Sequence, residues 1–418
     1  MAVERLVTGS GERVQVIYPG RENRDSGPDF VGAILAVADG EPLTGDIELH
    51  FKASDWKNHG HHHDPGYNEV ILQVVWDGDV AAMLQNGKRV PTLSLCHCLK
   101  GLLEDVRHQV HLPMFPSDPC HNAGQELGDS EMGRLLDEAG EERFLVKAGC
   151  FAGRLDKALP SQVLYQGIMG ALGYTKNKDQ FEELACRLPL VVLEGLCRGK
   201  PPHEQVLVLK ALLLGMAGLL PDVDNGQLEK VWRCLGNRET MDSSRWHLFR
   251  VRPENHPTRR LIGAAHLLAR FMEEGLLEGV LRLVNESDSD MGRLESGFIV
   301  SATDDGSYAQ RALIGWGRAR EIVINIALPF TFAWAESNSQ EKLAEQTLAL
   351  YGMYPKAGEN EITRELTKML GMCVSGQVNS VRRQQGLIHL AKTFCRQRRC
   401  DECPLGRRSS SMREVSCT

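Results

Sequence analysis

Two kinds of residue spacing divide this chain, and the division constrains the fold more than any single motif does. From about Arg13 to Leu95 the apolar residues come in short β-branched runs, at Val14–Ile17, Ala33–Val37, Asp46–Phe51, Glu69–Trp76 and Val80–Leu84, which predict strands. Turn signals at Pro19-Gly20, Asp64-Pro65-Gly66, Asp77-Gly78 and Asn86-Gly87 separate them, as in a meander of mostly antiparallel strands. Between Leu112 and Gly128 the chain runs through Pro113, Pro116 and Pro119, a composition suited to a linker. The expected boundary falls there, between a domain over residues 1–115 and another over 116–418. Beyond it the apolar residues take helical spacing, as at Leu261, Ala265, Leu268 and Met272. Similar patterns cover Glu131–Ala152, Ser161–Leu172, Glu204–Leu219, Glu321–Trp334 with a break at Pro329, Gln340–Tyr351 and Ser380–Phe394. The expected fold class is α+β: a mixed or antiparallel sheet domain followed by a larger all-helical domain.

At 418 residues and 42% hydrophobic, the chain can bury the cores of two or three domains. Met1 to Glu12 hold no apolar run of the kind an export signal needs, so a cytoplasmic protein is expected. The most apolar stretch, Val206 to Leu220, includes Lys210 and falls short of the ~17–25 residues that span a bilayer, so no membrane partner is expected either. In a reducing compartment the twelve cysteines are expected as thiols, and a cluster of them as a metal site. The total charge is −7, yet Val381 to Thr418 carry nine basic residues against three acidic ones, a local +6 that suits a polyanion.

The first chemical constellation is an early hairpin. Asp29 follows Gly27-Pro28 at a strand entrance, and Glu48 and His50 stand two apart in Gly45-Asp46-Ile47-Glu48-Leu49-His50-Phe51. Strand spacing puts Glu48 and His50 on one face, with Ile47 and Leu49 on the other. A turn at Asp39-Gly40 brings Asp29 back beside Glu48, and two converging carboxylates suit magnesium or manganese. Five of the fourteen histidines then fall between His50 and His63. An apolar core cannot satisfy so many imidazoles. Three readings stay open for His59 and His61: ligands or phosphate contacts at the rim of the Asp29/Glu48 site, an independent zinc or nickel site, or an exposed loop resembling a purification tag. Gln73, a lone polar residue within Val70–Val75, faces either the same pocket or solvent.

Over Gly27 to Trp76 this arrangement resembles the core of the PD-(D/E)XK nuclease superfamily, in which an Asp at a strand start and a Glu-x-Lys on the next strand bind the metal and orient water. The resemblance implies a restriction-endonuclease-like sheet with Asp29 and Glu48 as metal ligands, and with His50 standing where the family usually has Lys. Imidazole titrates near neutrality and lacks a fixed charge, so the water-directing role of that position changes. Arg21 to Phe30, Gly-Asp-x-Glu-x-His, Asp-Trp-x-x-His-x-His, Gln384-Gln385-Gly386-Leu387-Ile388-His389 and the late cysteines together look like an uncharacterised bacterial family known only as a domain of unknown function. That second resemblance implies no activity.

The second constellation is Cys395-x4-Cys400-x2-Cys403, with Pro404 after it. Three thiolates from one tight loop can collect an ion or cluster, with Cys373 or Cys417 as candidate fourth ligand. The loop is similar to the iron–sulfur loop of helix-hairpin-helix DNA glycosylases such as endonuclease III. Its first spacing is shorter and its last longer, so zinc and an iron–sulfur cluster are both expected candidates. Arg382, Arg383, Arg396, Arg398 and Arg399 surround it, and guanidinium groups match phosphate oxygens, which suits nucleic acid, DNA more than RNA. The scattered Cys150, Cys186, Cys197 and Cys234 are expected as small buried apolar residues.

No P-loop, dinucleotide-binding glycine fingerprint, Gly-x-Ser-x-Gly or His-Glu-x-x-His is present, which argues against those enzyme classes. The leading expectation is a metal-dependent nuclease or nuclease-derived DNA-processing protein. The alternatives are a nucleic-acid-binding scaffold that has lost catalysis and a histidine-loop metalloenzyme acting on a small molecule.

Overall fold

In the computed structural model the chain is α+β and separates into two units, Met1–Leu112 and Pro113–Thr418. The residues described are 6–23, 27–38, 40–78, 80–98, 120, 123–220, 226–236, 239–248, 251–287, 290–301, 312–372, 377–397 and 399–408. The candidate ligands Cys373 and Cys417 and the candidate phosphate contact Arg398 lie outside them.

The first unit is built on β1 (Val14–Tyr18), β2 (Arg21–Glu22), β3 (Phe30–Val37), β4 (Leu43–Lys52), β5 (Val70–Asp77), β6 (Ala82–Met83), β7 (Arg89–Val90) and β8 (Thr92–Ser94). Its main sheet has the order β1-β3-β4-β5-β8, with β2 also pairing β3. The hairpin β3–β4 is antiparallel, as the turn chemistry predicts. The antiparallel meander stops there: β4 and β5 run parallel, and so do β5 and β8. Parallel neighbours need a crossover. The seventeen-residue stretch from Ala53 to Glu69 supplies it, so the histidine loop passes over one sheet face instead of turning tightly at its edge. The run Val80–Leu84 likewise yields only β6, which leaves the main sheet to pair with β7 in a small ribbon.

Each sheet face buries its own core. Val14, Ala33, Leu35, Ile47, Leu72 and Leu93 pack on one side. On the other, Trp56 and Tyr67 from the crossover meet Val70, Ala82, Leu84 and Val90. At ~25 cal/mol per Å2 of apolar surface, aromatic anchors of this size hold the crossover down. Trp56 also donates its indole N–H to the Met83 carbonyl at 2.9 Å.

The second unit is helical among its described residues, and no described helix is long and apolar enough to cross a membrane. Its longest helix, Gly128–Leu155, presents Met132, Leu136, Gly140, Phe144, Ala148 and Phe151 inward at three- and four-residue spacing. It crosses the helix Val381–Thr393 at two glycines. A Cβ on Gly386 would stand 2.2 Å from the Leu136 carbonyl oxygen, and one on Gly140 would stand 2.0 Å from that of Arg382. The break expected at Pro329 lies elsewhere. A π-helical turn, Val323–Ala327, precedes the helix Leu328–Ser337, whose first turn holds Pro329. The proline ring excludes the carbonyl four residues back, and the wider turn moves that carbonyl aside without ending the helix. Of the four scattered cysteines, Cys197 is buried while Cys150, Cys186 and Cys234 are exposed, because their positions fall on outer helix faces.

Candidate metal centre

Glu48 and His50 project from the same face of β4, as alternation requires, and Gln73 of β5 and Thr92 of β8 continue that face in register. Asp29 and Glu48 clasp each other through the backbone. The Asp29 N–H donates to Glu48 Oε2 at 2.9 Å, and the Leu49 N–H donates to Asp29 Oδ2 at 3.0 Å. These bonds hold the strand entrance where the β3–β4 register shifts, between Phe30 and Ala33. Glu48 is 6% exposed, and its other oxygen, Oε1, lies 3.3 Å from His61 Nε2 and 3.7 Å from His50 Nε2.

The crossover brings the remaining imidazoles to this point. The helix α1 (Asp55–Asn58) ends at His59, and Gly60, with φ of 79°, turns the chain into the 3-10 segment His61–His63. Left-handed φ costs glycine little, so the reversal between His59 and His61 is cheap there. Tyr67 stacks on His61 with ring centres 3.9 Å apart, and Trp56 meets it edge-on at 5.4 Å. His50, His59 and His61 each offer a nitrogen within 4.8 Å of the others. Among the described residues they are the group of three or more potential ligands that converges in this way. His59 is exposed, so the group opens to solvent on that side.

Two nitrogens in this group have no hydrogen-bond partner although they are buried, His50 Nε2 and His61 Nε2. Leaving such a group unsatisfied costs about 1–3 kcal/mol. Four ligand atoms set tetrahedrally at zinc-type bond lengths stand about 3.3–3.4 Å apart, close to the Glu48 to His61 and Glu48 to His50 separations. The residues present therefore fit a cation. Gln73, fully buried, sits behind His50 with its amide nitrogen 3.1 Å from His50 Nδ1 and its oxygen accepting from the Thr92 hydroxyl at 3.1 Å. Thr92 also reaches the Val80 carbonyl at 2.9 Å. If the Gln73 amide turns over, its oxygen accepts from His50 Nδ1–H while its nitrogen donates to Thr92, whose hydroxyl donates on to Val80. That arrangement gives up the 3.4 Å bond from Gln73 Nε2 to the Ala53 carbonyl and leaves His50 Nε2 with a bare lone pair toward Glu48.

Burial, and then the neighbouring imidazoles, hold His61 down to about 4 from its ordinary 6.5, and burial with His59 lowers His50 in the same direction. Both are neutral at pH 7. Because the folded value is depressed, the unfolded chain takes up the proton first. The stability tied to neutral His61 is whole above about pH 6.5 and drains as the pH falls toward about 4. In urea unfolding of the metal-free protein, wild type should lose on the order of 2 kcal/mol more than His61→Phe across that window. Equal slopes for the two proteins would place His61 in water.

The C-terminal candidates sit differently. Cys395 opens a 3-10 turn and is half-buried like Cys400, while Cys403 is buried among Leu135, Leu390 and Leu405. The loop is tight: the Cys403 N–H donates to the Cys400 carbonyl at 3.1 Å, and Gly406 lies so close to Cys400 that a Cβ would stand 2.3 Å from its carbonyl oxygen. Arg382 and Arg383 turn onto the long helix, where both donate to the Asp137 carboxylate, Arg383 through two nitrogens. Arg399 pairs with Glu402, and Arg396 is exposed. Sequence spacing could not show which cations already had carboxylate partners.

Sequence reasoning singled out Asp29, Glu48, His50, His59 and His61 and left Gln73 open. It passed over Thr92, which stands on a three-residue strand with no pattern to mark it, and the Tyr67 wall, whose only signal is its place after the histidine run.

The chain is thus an α+β protein in which three imidazoles converge beside a buried glutamate on a mixed sheet, ahead of a helical unit. The chain belongs to the family of proteins of unknown function DUF2851, whose model matches residues 1–360. The match spans the pocket and most of the helical unit and ends before Gln384-Gln385-Gly386 and the late cysteines. No curated protein and no solved structure matches the chain.

Proposed function

We propose that the sheet unit is a metal-dependent hydrolase of phosphodiesters, a nuclease, in which His50, His59, His61 and Glu48 Oε1 surround one divalent transition-metal ion. The observation that carries this reading is the pair of buried, unpartnered imidazole nitrogens aimed at a buried carboxylate oxygen. A donor set of three nitrogens and one oxygen suits zinc, manganese or iron(II) better than magnesium, which prefers oxygen ligands. When bound, such an ion polarises a phosphoryl oxygen and acidifies water. Asp29 is a positioning residue, its N–H fixing Glu48 Oε2 so that Oε1 points inward. Gln73 sets the tautomer of His50, and Tyr67 and Trp56 wall His61 away from water. The phosphodiester substrate is supported by the resemblance of Gly27–Trp76 to PD-(D/E)XK nucleases, with Asp29 at the entrance of β3 and Glu48 and His50 on β4.

A second, structural metal at Cys395, Cys400 and Cys403, zinc or an iron–sulfur cluster, is proposed from their spacing in the sequence alone, since their thiols do not converge as the three imidazoles do. Elemental analysis and the visible spectrum of purified protein distinguish the two metals.

The test of the main reading is metal content and cleavage of labelled single- and double-stranded DNA and RNA after chelation and re-addition of zinc, manganese or magnesium. Cleavage should be lost on chelation, return with manganese or zinc, and fall at least about a hundredfold in Glu48→Gln. A protein that binds the metal yet cuts none of these polymers would remove the nuclease assignment and leave a metalloenzyme of small substrates.

A further inference from the structure

In the helical unit, the face between the helices Gly128–Leu155 and Val381–Thr393 holds a second group of polar side chains that the metal reading does not use. Arg143 and Lys147 stand four apart on the first helix, and Gln385, His389, Lys392 and Arg396 follow at four, three and four residues along the second and the turn after it. Both sets therefore form stripes on single helix faces. Arg143 Nε and Lys147 Nζ donate to the same oxygen, Gln385 Oε1, at 2.7 and 3.4 Å. Lys147 also donates to Asn325 Oδ1, on the π-helical turn Val323–Ala327. Turns of that kind displace side chains from regular helical positions and recur at functional sites.

The charges do not cancel. Among the described residues no carboxylate lies within ion-pair distance of Arg143, Lys147 or Lys392, and Lys392 lies in the field of Arg143, Arg396 and Lys178. Two acids flank the group: Glu142, 3.4 Å from His389 Nε2, and Glu321, whose carboxylate accepts from Asn325. His389 is 6% exposed, and the exposed Glu142 carboxylate is the group its Nε2 faces. Lys392 and Arg396 are exposed, so the stripe opens to solvent at that end. Clustered basic groups that share neutral amide acceptors repel one another until an anion joins them, and burial with Arg143 beside it already pushes the Lys147 ammonium well down.

We infer that Arg143, Lys147, Lys392 and His389, braced by Gln385 and Asn325, form a binding site for a phosphoryl group. This site is independent of the metal pocket. Its ligand is a phosphate oxyanion, either free or within a nucleic-acid backbone, since guanidinium and ammonium donors match its oxygens.

The test uses the full chain and inorganic phosphate as the first probe. Thermal unfolding in phosphate and in chloride at matched ionic strength should show wild type stabilised by phosphate, and Lys147→Met and Arg143→Gln not. Without phosphate, Lys147→Met should unfold at a higher temperature than wild type, because removing one cation relieves the repulsion. Should Lys147→Met fail to fold, the exposed Lys392→Gln carries the same comparison. The second probe is a short labelled oligonucleotide titrated at several salt concentrations. Binding that phosphate displaces, with a log–log salt slope reduced by about one in Lys392→Gln, identifies the polymer backbone as the source. Stabilisation by phosphate without oligonucleotide binding identifies a small phosphate ligand. Equal melting of wild type in phosphate and chloride, or equal phosphate stabilisation of wild type and all three variants, overturns the site.

Discussion

His61→Ala is expected to release the metal of the sheet unit and to lower hydrolysis at least about a hundredfold, while the adjacent His63→Ala leaves both unchanged. The contrast follows from placement. His61 is 9% exposed, stacked on Tyr67 and 3.3 Å from Glu48, whereas His63 is exposed two residues on. A tag-like histidine loop binds metal through whichever imidazoles are nearest, so in such a loop the two substitutions would weaken binding alike. Metal content by elemental analysis after exhaustive dialysis, with circular dichroism to verify folding, makes the comparison. Retention of one equivalent by His61→Ala would dismiss the centre as drawn. The pH dependence separates the readings again: depressed imidazoles hold their lone pairs below the ordinary 6.5, so proton competition should begin at a lower pH than it does for an exposed histidine run.

Gly386→Ala should destabilise the helical unit by about 3 kcal/mol, the upper part of the range for overpacking a well-filled interface. The new methyl group would meet the Leu136 carbonyl oxygen at 2.2 Å, and the obstacle is backbone, which no rotamer change can relieve. The helices must then separate, and Gln385 and Arg143 would lose their 2.7 Å bond with them. Urea denaturation gives the number, and a midpoint within error of wild type would mean that the crossing is looser than the glycine geometry requires. The Gln-Gln-Gly-x-x-His run thus has a packing role at Gly386. Gln384 adds to it by bonding Ala357 in both directions, through N–H to Oε1 at 2.7 Å and Nε2 to carbonyl at 3.0 Å.

Alternation along β4 was readable directly, because strand periodicity is local: once Leu43–Lys52 is extended, Glu48 and His50 must share a face. The hairpin to β3 was readable for the same reason, since a short turn and two apolar runs suffice. The direction of β5 was not. Asp64-Pro65-Gly66 looks like a hairpin turn, but whether a seventeen-residue connection returns antiparallel or crosses over depends on what its side chains pack against. Here Trp56 and Tyr67 find Val70, Leu84 and Val90 on the sheet face. That choice carries His61 from a loop rim to contact with Glu48.

Residue type and spacing alone established an α+β chain, two carboxylates and an imidazole at one hairpin, a histidine-dense crossover and a basic, cysteine-bearing end. Tertiary packing alone decided which of these groups meet. It buried His50 and His61 against Glu48, recruited Gln73 and Thr92 behind them, tied Arg382 and Arg383 to Asp137, and left Arg143, Lys147 and Lys392 with no carboxylate within ion-pair distance among the described residues. The reason is physical: periodicity fixes the face on which a side chain stands, but its partners belong to other elements, whose arrival is set by long-range burial.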